Sequence, residues 1–121
     1  MLGAIAGDMI GSPFEGLGCQ IKTTEFDLFC EWSRFTDDTV LTVAVAEAIL
    51  RDEAYGTAIK RYGRLYPNAG YGGSFRSWIH SPSSEPYNSW GNGSAMRVSP
   101  VGWAFESVED VLAEAEAANA D

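Results

Sequence analysis

Nine of the eleven residues from Val40 to Leu50 are apolar, Thr42 and Glu47 being the exceptions. The run is too long for an ordinary strand, and its alanines favour a helix. A helix that is apolar almost all round belongs inside a core. Thr36-Asp37-Asp38-Thr39 comes directly before it. The sequence therefore places two adjacent carboxylates, flanked by hydroxyls, at the N-terminus of a buried helix. Such a placement has two readings. Thr or Asp caps a helix, and acids in the first turn complement its dipole. Equally, Asp37, Asp38 and the Thr36 hydroxyl offer hard oxygen donors to a cation such as magnesium.

Around this helix the chain predicts further helical patterns and no convincing strand hairpin, so the fold class is all-α. One spans roughly Leu2 to Ile10, with Gly3, Gly7 and Gly11 on one face. That spacing predicts another backbone packed closely against the glycines. Ser12-Pro13 stops this helix. An amphipathic helix fits Tyr55 to Tyr66, and a shorter one fits Ser74 to His80. A fifth element starts at Gly91-Asn92-Gly93 and kinks near Pro100. The closing helix runs from Val108 to Asn119. Ser107 with Asp110 three residues on resembles a capping box, though Asp is not the usual partner. The 121 residues suffice for one domain with a core, and no domain boundary is marked.

Composition removes several functions. A net charge of −9 opposes electrostatic binding to nucleic acid or to an anionic membrane. No stretch reaches membrane-spanning length and no targeting segment is visible, so a cytoplasmic location is expected. Cys19 and Cys30 match no zinc spacing and read as reduced thiols.

Two other segments carry candidate chemistry. Gly7-Asp8-Met9-Ile10-Gly11-Ser12-Pro13-Phe14-Glu15 places Asp8 in an otherwise apolar helix and Glu15 after a proline turn. Glu15 reads either as an exposed turn acid or as a metal ligand or proton-transfer group tuned by partial burial. Ser89-Trp90-Gly91-Asn92-Gly93-Ser94-Ala95-Met96-Arg97 opens a helix with glycines, which is either a capped turn or an anion site made of backbone N–H groups. It matches neither the P-loop nor GxGxxG. The lone histidine, His80, suits a helix C-terminus. Tyr71, Phe75 and Trp78 are spaced as core residues, with a stacking surface for a nucleobase as the alternative.

Taken in order, GDMIGSPFE, FTDDT and GNGSAMRVSPVGW resemble the ADP-ribosylglycohydrolase family, over nearly the whole chain. The resemblance implies a compact orthogonal helical domain of that type. It also implies a pair of magnesium ions, with manganese in some members. The implied reaction is hydrolysis of the bond between ADP-ribose and a protein side chain or other acceptor, so the implied partners are ADP-ribosylated substrates or ADP-ribose. By position, Thr36, Asp37 and Asp38 are then metal ligands, with Asp37 also catalytic. Glu15 is the catalytic carboxylate that handles water. Ser89, Trp90, Gly91, Asn92 and Gly93 hold the diphosphate and adjoining ribose. Met96 and Arg97 belong to the same signature as structural residues, and Asp8 as a supporting one.

Family members continue further, with a histidine-containing stretch and an Asp-x-Asp motif that this chain does not show. The expectation is an N-terminal half, apparently truncated, whose remaining ligands come from a complementing C-terminal half or another copy. The alternative is a non-catalytic relative acting as a binding or structural protein. A truncated helical domain is also expected to expose the core-facing side of the Val40–Leu50 helix and to self-associate through it.

Overall fold

The computed structural model describes residues 1–16, 20–83 and 85–119, and every regular element among them is helical. The order is α1 (Leu2–Gly11), a 3-10 turn (Ser12–Phe14), α2 (Asp37–Arg51), α3 (Tyr55–Leu65), α4 (Gly73–His80), α5 (Gly93–Arg97), α6 (Val101–Ala104) and α7 (Val108–Asn119). The all-α class is as expected. No helix among the described residues is long and apolar enough to cross a membrane.

The α2 helix is the hub, packing against α1, α3, α5 and α6. Its Val40, Leu41, Thr42, Ala44, Val45, Ala46 and Ala48 are all buried. Alanines at 44 and 48 let α3 approach closely, and α3 answers with Ala58 and Ile59, both fully buried. Burying a side chain the size of Ile59 contributes about 1.5–3 kcal/mol. At Gly63, a Cβ would lie 3.1 Å from Ile79 Cγ2, so glycine sets the spacing between α3 and α4. Glu47, the charged exception in the apolar run, sits at the rim of α2 and pairs with Arg51 at 2.7 Å and Arg61 at 3.0 Å. The expectation that α2 exposes its core face is therefore corrected: its neighbours already cover it. Exposed apolar side chains lie at Leu50, near the end of α2, and outside that helix at Leu2, Trp32, Trp90 and Trp103.

Two further expectations change. A Cβ at Gly3, Gly7 or Gly11 would meet nothing within 4 Å, so no backbone among the described residues packs on that face. The fifth element is two short helices, not one kinked helix. Pro100 cannot donate into a continuing helix, and the chain re-forms with Val101 N–H donating to the Val98 carbonyl at 3.0 Å.

Other details follow the sequence. Tyr71, Phe75 and Trp78 are buried, with the rings of Tyr71 and Phe75 centred 4.9 Å apart. The Asp110 N–H donates to Ser107 Oγ at 3.0 Å, which caps α7, while the Asp110 carboxylate accepts from the Ser107 hydroxyl at 2.7 Å and not from the backbone N–H that a capping box uses. Arg97 is buried and donates to the Ala118 carbonyl at 2.9 Å, tying α5 to the end of α7. His80 is exposed at the end of α4. Cys30 is a free, exposed thiol, and Cys19 lies outside the described residues.

Candidate metal centre and adjoining cavity

Three segments converge at the start of α2. The first is α1, which delivers Asp8 near its end. Asp8 is only 9% exposed, and an acid buried to that degree needs partners. It has four. Asp8 Oδ1 accepts from Thr36 Oγ1 at 2.6 Å, and Oδ2 accepts from the Thr36 N–H at 2.8 Å. Oδ2 also accepts from the Thr39 N–H at 3.2 Å and from Thr39 Oγ1 at 2.5 Å. Asp8 thus satisfies an orphan N–H of the first turn of α2 from outside that helix.

The second segment is the turn after α1. Pro13 sits within the 3-10 turn, and Glu15 caps it in an extended conformation. Ser12, also buried, donates to the Met9 carbonyl at 3.0 Å and accepts from the Arg34 N–H at 2.9 Å. That hydroxyl fastens the end of α1 to the chain arriving at Thr36. The third segment is the N-terminus of α2. Thr36 is the N-cap, its hydroxyl accepting from the Asp38 N–H at 3.4 Å. The Asp37 N–H donates instead to the Ala69 carbonyl at 2.8 Å, outside the helix.

The result separates the two neighbouring aspartates. Carboxylate oxygens of Asp8, Glu15 and Asp38 all lie within 4.8 Å of one another. Asp37 is not one of the three and stands beside the cluster, near enough for its charge to act on Glu15. Asp37 Oδ1 lies 3.4 Å from where a Cβ on Gly70 would project, close to an ordinary contact, and it is the φ of +110° at Gly70 that favours glycine there. Burial together with the Asp37 charge pushes the Tyr71 hydroxyl up to about 12.

The electrostatics fit a cation. Burial, and then the charges of Asp8, Asp38 and Asp37, raise the Glu15 carboxyl above its ordinary value, with Arg34 opposing weakly. Asp38 is raised by burial and by Asp8, against the pull of its backbone and Thr36 hydrogen bonds. Burial is also the main cause for Asp37, with Asp38 and Asp8 adding to it. Negative charge is thus crowded around hard oxygen donors, the arrangement that divalent magnesium or manganese relieves. The residues present fit such an ion.

Asp37 lines a cavity of about 630 Å³. Leu41 of α2, Gly72–Phe75 at the start of α4, the segment from Pro86 to Ser94, Met96 and Arg97 of α5, and Asn119 at the end of α7 form its other walls. All five loop residues expected to hold substrate, Ser89, Trp90, Gly91, Asn92 and Gly93, line it. The acidic cluster and the glycine loop are thus joined through one residue, Asp37. Trp90 is fully exposed. The Gly91 N–H donates to Ser89 Oγ at 3.0 Å, an exposed bond that an incoming anion can replace. The helix that follows the loop has five residues, so its dipole adds little. The loop is set in place from behind: Thr42 Oγ1 donates to the Met96 carbonyl at 3.3 Å, and Trp78 Nε1 to the Glu85 carbonyl at 3.0 Å.

Sequence reasoning gave Asp8 only a supporting part and gave Thr39 none. The signal was present for Asp8, the single acid in an otherwise apolar helix. For Thr39 it was the symmetry of hydroxyls on either side of the paired aspartates.

A family model for ADP-ribosylglycohydrolase matches residues 1–120. Among curated proteins, the chain is 27% identical to the ADP-ribosylhydrolase ARH3 of Xenopus tropicalis, over 93% of this chain and 40% of the relative. It is 28% identical to the ADP-ribosylhydrolase ARH3 of Homo sapiens, over 92% of this chain and 40% of the relative. The Mus musculus ADP-ribosylhydrolase ARH3 is also 28% identical, over 92% of this chain and 39% of the relative. The chain therefore spans about two fifths of the length of these relatives. No solved structure gives a significant match.

Proposed function

The chain belongs to the ADP-ribosylglycohydrolase family, and from that premise we propose that it supplies the first half of a metal-dependent site hydrolysing the bond between ADP-ribose and its acceptor. The observation that carries this reading is the join at Asp37, where an acidic cluster built for a cation meets a cavity lined by a glycine loop.

In this reading Thr36, Asp37 and Asp38 would hold magnesium or manganese, which would supply polarisation of a water and neutralisation of charge developing at the sugar. Glu15, exposed at the edge of the acidic cluster, takes up the water's proton. Ser89 to Gly93 bind the diphosphate and adjoining ribose, with Gly91 and Gly93 allowing close approach of the backbone and Asn92 adding a side-chain amide. Holding the diphosphate fixes the sugar relative to Asp37 and Glu15, and such orientation accounts for several kcal/mol of barrier lowering. The ligands beyond this chain's own come from a C-terminal complement or from a second copy.

The test is calorimetric binding of ADP-ribose with and without magnesium, together with ADP-ribose release from a mono-ADP-ribosylated peptide. Binding that requires magnesium supports the reading. Absence of ADP-ribose binding in magnesium, or release that is indifferent to chelation, would sink it.

A further inference from the structure

Asp8 and Thr39 stand outside the residues assigned above, yet they make the most heavily hydrogen-bonded group at the site. We propose that they form a clamp that sets the proton of the Thr36 hydroxyl, and so turns Thr36 and Asp38 toward a cation instead of toward each other. The inference rests on the reading of Thr36 and Asp38 as metal ligands.

The argument is one of counting. The Thr36 hydroxyl has one proton and two lone pairs. Two carboxylates stand near that proton, those of Asp8 and Asp38, and the bond the geometry shows runs to Asp8. Asp8 Oδ1 wins it at 2.6 Å, a distance typical of a charge-assisted O–H···O bond. One Thr36 lone pair then receives the Asp38 N–H, at a long 3.4 Å, and the other is left for a cation. Asp38, with no hydroxyl donated to it, keeps its carboxylate oxygens as acceptors for the same ion.

Thr39 holds Asp8 in the orientation that does this. Three donors converge on Asp8 Oδ2: the N–H groups of Thr36 and Thr39 and the Thr39 hydroxyl. That oxygen is saturated, which fixes the carboxylate plane and leaves Oδ1 aimed at the Thr36 hydroxyl. Asp8 and Thr39 are positioning residues that act through Thr36. Outer-shell partners of this kind typically alter metal affinity by about 10–100-fold.

Asp8→Asn reverses the geometry. With its oxygen facing the three donors, its NH₂ faces Thr36 Oγ1 and forces the hydroxyl proton toward Asp38. Thr39→Val removes the strongest of the three holds and leaves Asp8 charged. Thr39→Ser keeps the hydroxyl. The experiment is titration of the full chain with Mn²⁺, following loss of the free-ion electron paramagnetic resonance signal. Helicity is checked by circular dichroism at the same temperature. The expected result is Mn²⁺ affinity about 10–100-fold weaker in Asp8→Asn and Thr39→Val, both still helical, with Thr39→Ser close to wild type. If Asp8→Asn does not fold, Thr39→Val decides. A Thr39→Val variant that binds Mn²⁺ as wild type does overturns the clamp, and so does a Thr39→Ser as weak as Thr39→Val. A wild-type chain that takes up no Mn²⁺ overturns both the clamp and the metal reading beneath it. Normal wild-type binding with unaffected variants overturns the clamp alone.

Discussion

The acidic corner and the glycine loop share a wall at Asp37 and differ in almost every other respect. In the corner, Asp8 is buried and receives four hydrogen bonds from residues 28 and 31 positions away in sequence. Its geometry is fixed before anything binds, and the unfavourable element is charge. In the loop, Ser89 to Asn92 are exposed, Trp90 fully so, and the Gly91 N–H is satisfied by the loop's own Ser89. Here the charge is neutral and the unfavourable element is conformational freedom, which binding must remove. Under the proposed function, the difference assigns cation affinity to pre-arranged oxygen atoms and substrate affinity to the ordering of a surface.

If that division is right, substitutions in the two regions have separable effects. The largest is expected from Asp37→Asn combined with Asp38→Asn. Loss of directly ligating charge exceeds what an outer-shell change costs, so Mn²⁺ affinity falls by more than about 100-fold. Magnesium-dependent binding of ADP-ribose disappears with it. A double variant that still binds Mn²⁺ like wild type breaks the comparison at its stronger end.

Asn92→Ala is the corresponding change in the loop, and its effect is smaller. One hydrogen bond to a bound ligand contributes about 0.5–1.5 kcal/mol, or roughly a 2–10-fold loss of ADP-ribose affinity. Mn²⁺ affinity stays unchanged. Calorimetry with each ligand in turn reads both quantities, and a parallel fall in the two would show that corner and loop are one unit.

The same contrast explains what the sequence could and could not disclose. Helix α2 is legible from the length and the alanines of its apolar run, and α3 from the 3.6-residue period of Ala58, Ile59 and Tyr62. The break between α5 and α6 is only half legible: Pro100 announces a disturbance but not whether the chain bends or stops. Thr36, Asp38 and Glu15 were nameable as types of residue at a turn or helix start, and their convergence was not. That convergence depends on Asp8 reaching Thr36 across 28 residues, a tertiary fact with no local periodicity. The packing inferred from Gly3, Gly7 and Gly11 failed for a related reason. A stripe of glycines permits close approach but does not say that a partner is there. Asp37 shows a finer limit, since its adjacency to Asp38 does not say that it also lines the cavity of the glycine loop.

The smallest expected effect concerns pH, and it tests whether charge is the corner's unfavourable element. In the metal-free chain Glu15, Asp37 and Asp38 are all raised above their ordinary values, mainly by burial and then by one another and Asp8. A group whose folded value is raised binds its proton more tightly in the folded state than in the unfolded one. Its contribution to stability is complete below the unfolded value, near 4, and is lost as pH rises through the raised folded value. Asp38→Asn removes one of these charges at nearly constant shape. In EDTA at pH 7, the variant should therefore melt at or slightly above the wild-type temperature, and the gap should close as pH falls toward 4. Magnesium should reverse the order, raising the melting temperature of wild type and not that of the variant. The competing contribution is the α2 dipole, which favours an acid in the first turn by about 0.3–1 kcal/mol. If the dipole prevails over crowding, Asp38→Asn melts below wild type at pH 7 without metal. The carboxylate would then be there first as a helix-start residue, and the corner would carry no strain for a cation to relieve.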